Sequence, residues 1–190
     1  MSAAISLSAA HHEESSAEGA HWEIDAAHTQ IDFKVRHMMV SYVRGTFGEF
    51  SGSFSGLVEG TPKGSVTIQA ASIDTGNEKR DGHLRGADFF NVEEFPEITF
   101  TISELHKMSG GDVHIVGDLS MHGVTKKVTF VGEMNGPIQN PWGQTVIGVS
   151  VSTEIDRTEF GLNWNKAIEA GGVVVGDTVK ITANFEVVKK

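Results

Sequence analysis

The sequence contains no cysteine. That excludes both a disulfide framework and a thiolate metal site. Proline occurs only 4 times in 190 residues, so few positions forbid a strand ladder. No apolar run is long enough to cross a membrane as a helix, and stable membrane insertion is not expected. The opening MSAAISLSAA is too short and too weakly apolar for a secretion signal, and no Lys or Arg precedes it. The cytoplasm is therefore the expected compartment, with the periplasm second. Basic residues are in the minority: 15 Lys and Arg stand against 25 Asp and Glu, a formal charge of −10. Lys126-Lys127 and Lys189-Lys190 are pairs rather than patches. The sequence thus offers little to a nucleic-acid backbone or an anionic membrane, each of which repels such a chain unless a local basic patch overrides the total. There is no Gly-x-Ser-x-Gly elbow, no His-Glu-x-x-His and no phosphate-cradling loop.

What is present is alternation. Ile31, Phe33, Val35 and His37 share one parity, as do Val66, Ile68 and Ala70, then Ile98, Phe100 and Ile102. Further runs are Val113 to Met121, Val128 to Met134, Val149 to Ile155 and Val179 to Val187. Period two marks strands with one buried face. Parity switches between Phe47 and Phe50, which points either to a bulge at Gly48-Glu49 or to a hairpin at Gly52-Ser53. MHGVTK fits a tight hairpin, with His122 as a turn residue. NGPIQNPWG (135–143) reads as a loop by composition, with Trp142 over one end of the fold. Residues 1–20 read as a disordered tail in which His11, His12, Glu13 and Glu14 are solvated. Residues 21–190 form one all-β domain, with 22 glycines suited to bent strands and tight turns.

The alternation breaks once, across IDTGNEKRDGHLRGADFFNVEEFPEITF (73–100). Thr75-Gly76-Asn77 is turn chemistry, and Asn77 is an N-cap candidate. Arg80, Leu84 and Ala87 fall at helical spacing, and Phe89-Phe90 follows. This short helix is either a lid over an apolar space or a connection whose phenylalanines plug the core; the packed connection is the simpler reading. Asp81, His83 and Asp88 do not share one helical face, so an ion-pair network with Arg80 and Arg85 explains them better than a metal or general-base site. Asp156-Arg157 reads as a buried or half-buried ion pair pinning a crossover.

These stretches carry a resemblance. SIDTGNEKRDGHLRGADFF with FPEITF resembles the signature of the YceI-like family, and so do WEIDAAHTQIDFKVRHM, SYVRGTFGEF, GDLSMHGVTKKV and DRTEFGLNWN, in order over about Trp22 to Lys189. Thr29, Gly86 and Asn91 depart from that pattern. The resemblance implies a closed antiparallel lipocalin-like barrel of about eight strands with a short helical insertion. It also implies binding of a long isoprenoid lipid, a polyprenyl lipid or an isoprenoid quinone, and it is compatible with a homodimer. Many members of the family are exported.

The expected function is therefore non-enzymatic binding, storage or transport of such a lipid, which is a ligand rather than a cofactor. The expected lining is Phe33, Val35, His37, Phe47, Ile68, Leu84, Phe89, Phe100, Ile102, Phe130 and Trp164. Arg80 and Arg85 are candidates for a polar head group at the mouth. Small inward residues (Ala70, Gly117, Gly132, Ala183) are expected to leave space. The alternatives are a fatty acid or fatty amide as ligand, an enzyme acting on an isoprenoid quinone or its precursor through His37 or His83, and a haem or metal protein.

Overall fold

The computed structural model describes residues 19–169 and 171–190; of the expected tail over residues 1–20, residues 1–18 lie outside them. Eleven strands form one sheet. They are β1 (Trp22–Ile24), β2 (Gln30–His37), β3 (Ser41–Phe47), β4 (Phe50–Ser55), β5 (Lys63–Gln69), β6 (Ile73–Asp74), β7 (Glu97–Lys107), β8 (Asp112–Met121), β9 (Val124–Gln139), β10 (Thr145–Asp156) and β11 (Val175–Lys189). One helix, α1 (Glu78–Arg85), lies between β6 and β7. No helix among the described residues is long and apolar enough to cross a membrane.

Every strand pair is antiparallel, and the sheet closes on itself because β1 bonds both β4 and β11. Two stations of the wall are broken strands. β1 and β2 follow one another along a single edge of β11. β3 and β4 follow one another along the far side of that pair. Counted this way the wall is an eight-stranded, lipocalin-like barrel. β4 runs through Gly52-Ser53 and the break falls at Gly48-Glu49, so of the two sequence readings the bend holds and the hairpin does not. His122 (φ 51°) and Gly123 (φ 74°) make the two-residue β8–β9 turn, the backbone such hairpins require.

One sequence expectation is corrected at β9. The strand continues through Asn135, Gly136 and Pro137 to Gln139, so residues 135–139 are not a loop. The pairing with β10 jumps from Ile138–Val146 to Asn135–Gly148, and this bulge gives the proline a place without a ladder bond. Trp142, at the tip of the short turn that follows, is 81% exposed and covers nothing.

The inward glycines also act otherwise than the sequence suggests. A Cβ on Gly117 would meet the Phe100 ring and the Thr101 carbonyl; one on Gly45 would meet the Phe33 ring; one on Gly132 would strike the β10 backbone. These glycines let rings lie flat on the wall and strands approach closely, rather than leaving a void. Ala70 is buried off the cavity, and only Ala183 of the four borders open space.

One end is sealed by Trp22, Leu57, Ile147 and Val187. Each such buried side chain contributes about 1.5–3 kcal/mol. Between β1 and β2 the chain makes a 3-10 turn, Ala26–His28, capped by Asp25. His28 Nδ1 lies 2.8 Å from Asp25 Oδ2 and 4.0 Å from Glu186 Oε1, and Thr29 Oγ1 accepts from the Glu186 amide at 3.2 Å. The hydrogen bond from His28, then that from the Ala27 amide, lowers the Asp25 carboxyl pKa; Asp25 in turn raises that of His28, with help from Glu186. The sign follows from linkage. The raised histidine stabilises the fold fully below its ordinary value, and its contribution fades as pH rises through the raised one. The lowered aspartate stabilises above the ordinary carboxylate range, and its contribution is lost as pH falls through the lowered value. An NMR titration should place the His28 midpoint above the usual histidine value of about 6.5. In Asp25→Asn the midpoint should fall back toward that value.

Candidate functional site

The barrel encloses a cavity of ≈ 190 Å³ whose accessible wall is apolar throughout. It runs from Leu57 and Val187 at the sealed end to Leu84, Phe89, Phe90 and Leu162 at the other. Period two places the lining: each wall strand presents alternate side chains inward. β11 alone supplies Val179, Ile181, Ala183, Phe185 and Val187, and β10 supplies Val149, Val151 and Ile155.

Of the residues expected from sequence, Phe33, Phe47, Ile68, Leu84, Phe89, Phe100, Ile102 and Phe130 border this cavity. Val35, His37 and Trp164 are not among its lining residues. Val35 pairs with Val43 and Val179 near the rim, and His37 with Ser41 and Val175. Trp164 backs the lid from outside: its ring centroid is 5.2 Å from that of Phe89 and 4.9 Å from that of His83. Alternation pointed to the β8, β10 and β11 lining as well. Leu57, Phe90 and Leu162 lie outside any strand, where no period marks a face.

α1 closes the second end, so the two sequence readings converge: the packed connection is also the cover of an apolar space. Asn77 Oδ1 accepts from the Arg80 amide at 3.0 Å, the expected N-cap. After the helix the chain folds back sharply, with the Phe90 amide donating to the Leu84 carbonyl at 2.9 Å. This brings Leu84, Phe89 and Phe90 over the cavity. Asn91 takes a left-handed backbone (φ 46°), which asparagine tolerates better than most residues.

Arg80 and Arg85 do not line the cavity; they hold the lid. Arg80 Nε donates to Thr75 Oγ1 at 2.6 Å and its Nη2 to the Thr75 carbonyl at 2.9 Å. Thr75 in turn donates through its amide (3.0 Å) and hydroxyl (2.5 Å) to Asp81, which is 5% exposed. Arg85 donates to the Ala71 and Ile73 carbonyls at 2.7 and 2.8 Å. His83 lies 2.8 Å from Asp88 on the outer side. His122 hydrogen-bonds the Phe160 carbonyl from its turn.

Arg157 is 4% exposed and borders the cavity. It follows β10 in a 3-10 turn, Arg157–Phe160, capped by Asp156 and ended by left-handed Gly161. Its guanidinium donates to the carbonyls of Gly176 (2.9 Å), Trp164 (3.1 Å), Val175 (3.4 Å) and Leu162, and to Asp177 Oδ1 at 3.2 Å. Burial lowers its pKa, opposed by Asp177 and Asp156, but arginine stays charged in proteins. The expected crossover pin is present, with Asp177 rather than Asp156 as its ion-pair partner.

A closed antiparallel barrel whose cavity exposes only apolar surface, plugged at one end and capped by a helix at the other, defines the class. The YceI-like domain model matches residues 22–187, and the chain belongs to that family. It is 40% identical to a UPF0312 protein of Staphylococcus aureus (strain USA300) over 165 residues, 85% of this chain and 94% of that one. It is 42% identical to a UPF0312 protein of Staphylococcus epidermidis (strain RP62A) over 168 residues, 87% and 95% of the two chains. The Campylobacter jejuni YCEI protein superposes with a TM-score of 0.70 at 28% identity, covering 83% of this chain and 91% of that one. A polyisoprenoid binding domain from Saccharophagus degradans superposes at 0.67 and 17% identity, covering 89% and 98%, and so shares the fold.

Arg157→Met should lower the unfolding free energy by about 3 kcal/mol, since several buried carbonyls lose their donor together. Asp81→Ala should cost about 2 kcal/mol by the same reasoning. Urea denaturation followed by circular dichroism measures both.

Proposed function

We propose that this protein is a non-enzymatic carrier of a long isoprenoid chain, held inside the barrel for storage or transport. The observation that carries the reading is the continuous apolar cavity reaching from the sealed end to the lid. Such a space gains about 0.8 kcal/mol for each methylene-sized group it takes from water, before the entropy of binding is counted. It selects for an extended apolar chain and leaves a polar head at the rim. The description of the Saccharophagus degradans domain as polyisoprenoid binding supports the same ligand class.

A fatty acid fits less well. Its carboxylate would need a buried donor, and Arg157, the cation bordering the cavity, already spends its donors on four carbonyls and Asp177. An enzyme acting on an isoprenoid quinone also fits less well, because neither His37 nor His83 borders the cavity.

Organic extraction of protein purified from a lipid-containing host, followed by mass spectrometry, tests this. A stoichiometric isoprenoid is expected; an empty extract with no uptake of added polyprenyl lipid or quinone would overturn the reading. Val151 lines the cavity, opposite Gly132 and Ala183 on its flanking strands, so Val151→Phe adds volume to the cavity wall. It should leave the circular dichroism spectrum intact and weaken lipid uptake about tenfold or more, through displaced chain contacts.

A further inference from the structure

The fold builds a basic patch that the sequence does not display. Lys34 on β2 stands directly opposite Lys180 on β11 and Arg44 on β3. These three cations form a row across the outer face of the barrel, and Arg36 lies two residues closer to the rim. Like charges placed opposite one another destabilise a sheet. Yet none of the four forms an ion pair with a carboxylate among the described residues. The nearby acids are Glu154, opposite Lys180 on β10, Asp32, one row below, and Asp74 on β6, which shares the outer groove with Lys34, Arg44 and Lys180.

The hairpin joining β2 to β3 continues this patch to the rim. Its tip is Met38-Met39-Val40, exposed by 42, 49 and 83%. Met38 (φ 48°) and Met39 (φ 60°) both adopt the left-handed backbone, where turns normally place Asn or Gly. Tyr42, 48% exposed, carries Arg36 and Lys34 over its ring at 4.9 and 5.3 Å. The tip is tied to the segment behind the lid: the Met38 amide donates to the Val174 carbonyl at 2.8 Å.

We infer that this rim docks on an anionic phospholipid bilayer, with Met38, Met39 and Val40 entering the interface and Arg36, Lys34, Arg44 and Lys180 meeting the phosphates. The spacing suits this. At about 3.3 Å per residue, Arg36 lies about 7 Å and Lys34 about 13 Å behind the tip. An apolar face sinks about 5–10 Å into a bilayer interface, which brings those cations to the head groups. A tyrosine between them matches the belt where such rings collect. The charge of −10 does not forbid contact, because distant surface charges are screened within about 8 Å at physiological salt; instead it turns the rest of the barrel away. A two-fold contact between copies would set this cationic row against itself. The lid lies at the same rim, so a docked protein has its cavity cover next to lipid. That delivery role rests on the carrier reading above, whereas the docking surface does not.

The test is co-sedimentation with phosphatidylcholine vesicles, with and without about 30% phosphatidylglycerol, at low and high salt. Each Lys or Arg near an anionic surface raises affinity about fivefold. The expected result is binding at least tenfold stronger to the anionic vesicles, weakened by salt. Val40→Asp and the pair Lys34→Glu, Arg44→Glu should each reduce it at least tenfold, while Trp142→Asp at the opposite rim should not. Three results would overturn the inference: no preference for anionic vesicles, binding indifferent to the rim variants, or a solution dimer that those variants dissociate. Lipid content of the same samples, read by mass spectrometry, separates the two readings. Vesicle binding by protein that carries no isoprenoid and takes up none when it is added removes the carrier and keeps the docking surface. Lipid-loaded protein that ignores vesicles removes the docking surface alone.

Discussion

A closed ladder satisfies the backbone groups along the wall of a barrel but not those at its rims. Buried carbonyls without donors are costly, so an apolar lid can close over an apolar cavity only if something at the rim supplies those donors. Here arginines do. Arg85 serves Ala71 and Ile73, Arg80 serves Thr75, and Arg157 serves Leu162, Trp164, Val175 and Gly176. Residues that look like head-group binders in the sequence are spent on the chain's own backbone. The cavity can be wholly apolar because the polar work is done around its edge.

This explains why the wall was legible and the rim was not. A period of two depends only on local geometry, so β5, β7, β8, β10 and β11 declare their inward faces in the sequence. The short helix and its aromatic end were legible too, because Asn77 and Phe89-Phe90 mark its two ends; that it covers the cavity was not, because the sequence favoured a packed connection. The basic row was invisible because Lys34, Arg44 and Lys180 become neighbours only through strand register. The glycines misled for a related reason. What a missing Cβ accommodates depends on the strand beside it: a ring at Gly117, a backbone at Gly132. Pro137 suggested a loop because a bulge needs the partner strand to be seen.

The arrangement separates two tasks. In the proposed carrier, the interior would recognise length and apolarity, a property of many inward side chains and few specific ones. Orientation toward other bodies falls to the outer surface near the lid, where the tip of the β2–β3 hairpin meets the segment ending at Val174. Trp164 links the two, with its ring centroid 5.2 Å from that of Phe89 and Lys166 Nζ 5.8 Å from its ring centroid. A change in either task can therefore come from different residues, and the wall can tolerate exchange among apolar side chains of similar volume.

The seam of the barrel joins Trp22 to Lys189 and Glu23 to Val188. β11 also pairs with β2 and β10, so one strand bonds three others along its two edges. None of these bonds to β11 can form until nearly the whole domain has been synthesised. Contacts this distant in sequence make folding slow. Throughout that interval the surfaces destined for the cavity are open, in a chain with free strand edges on both sides. A ligand that fills those surfaces would reach them most easily before the seam shuts, so the moment of closure is also the chain's first opportunity to be loaded.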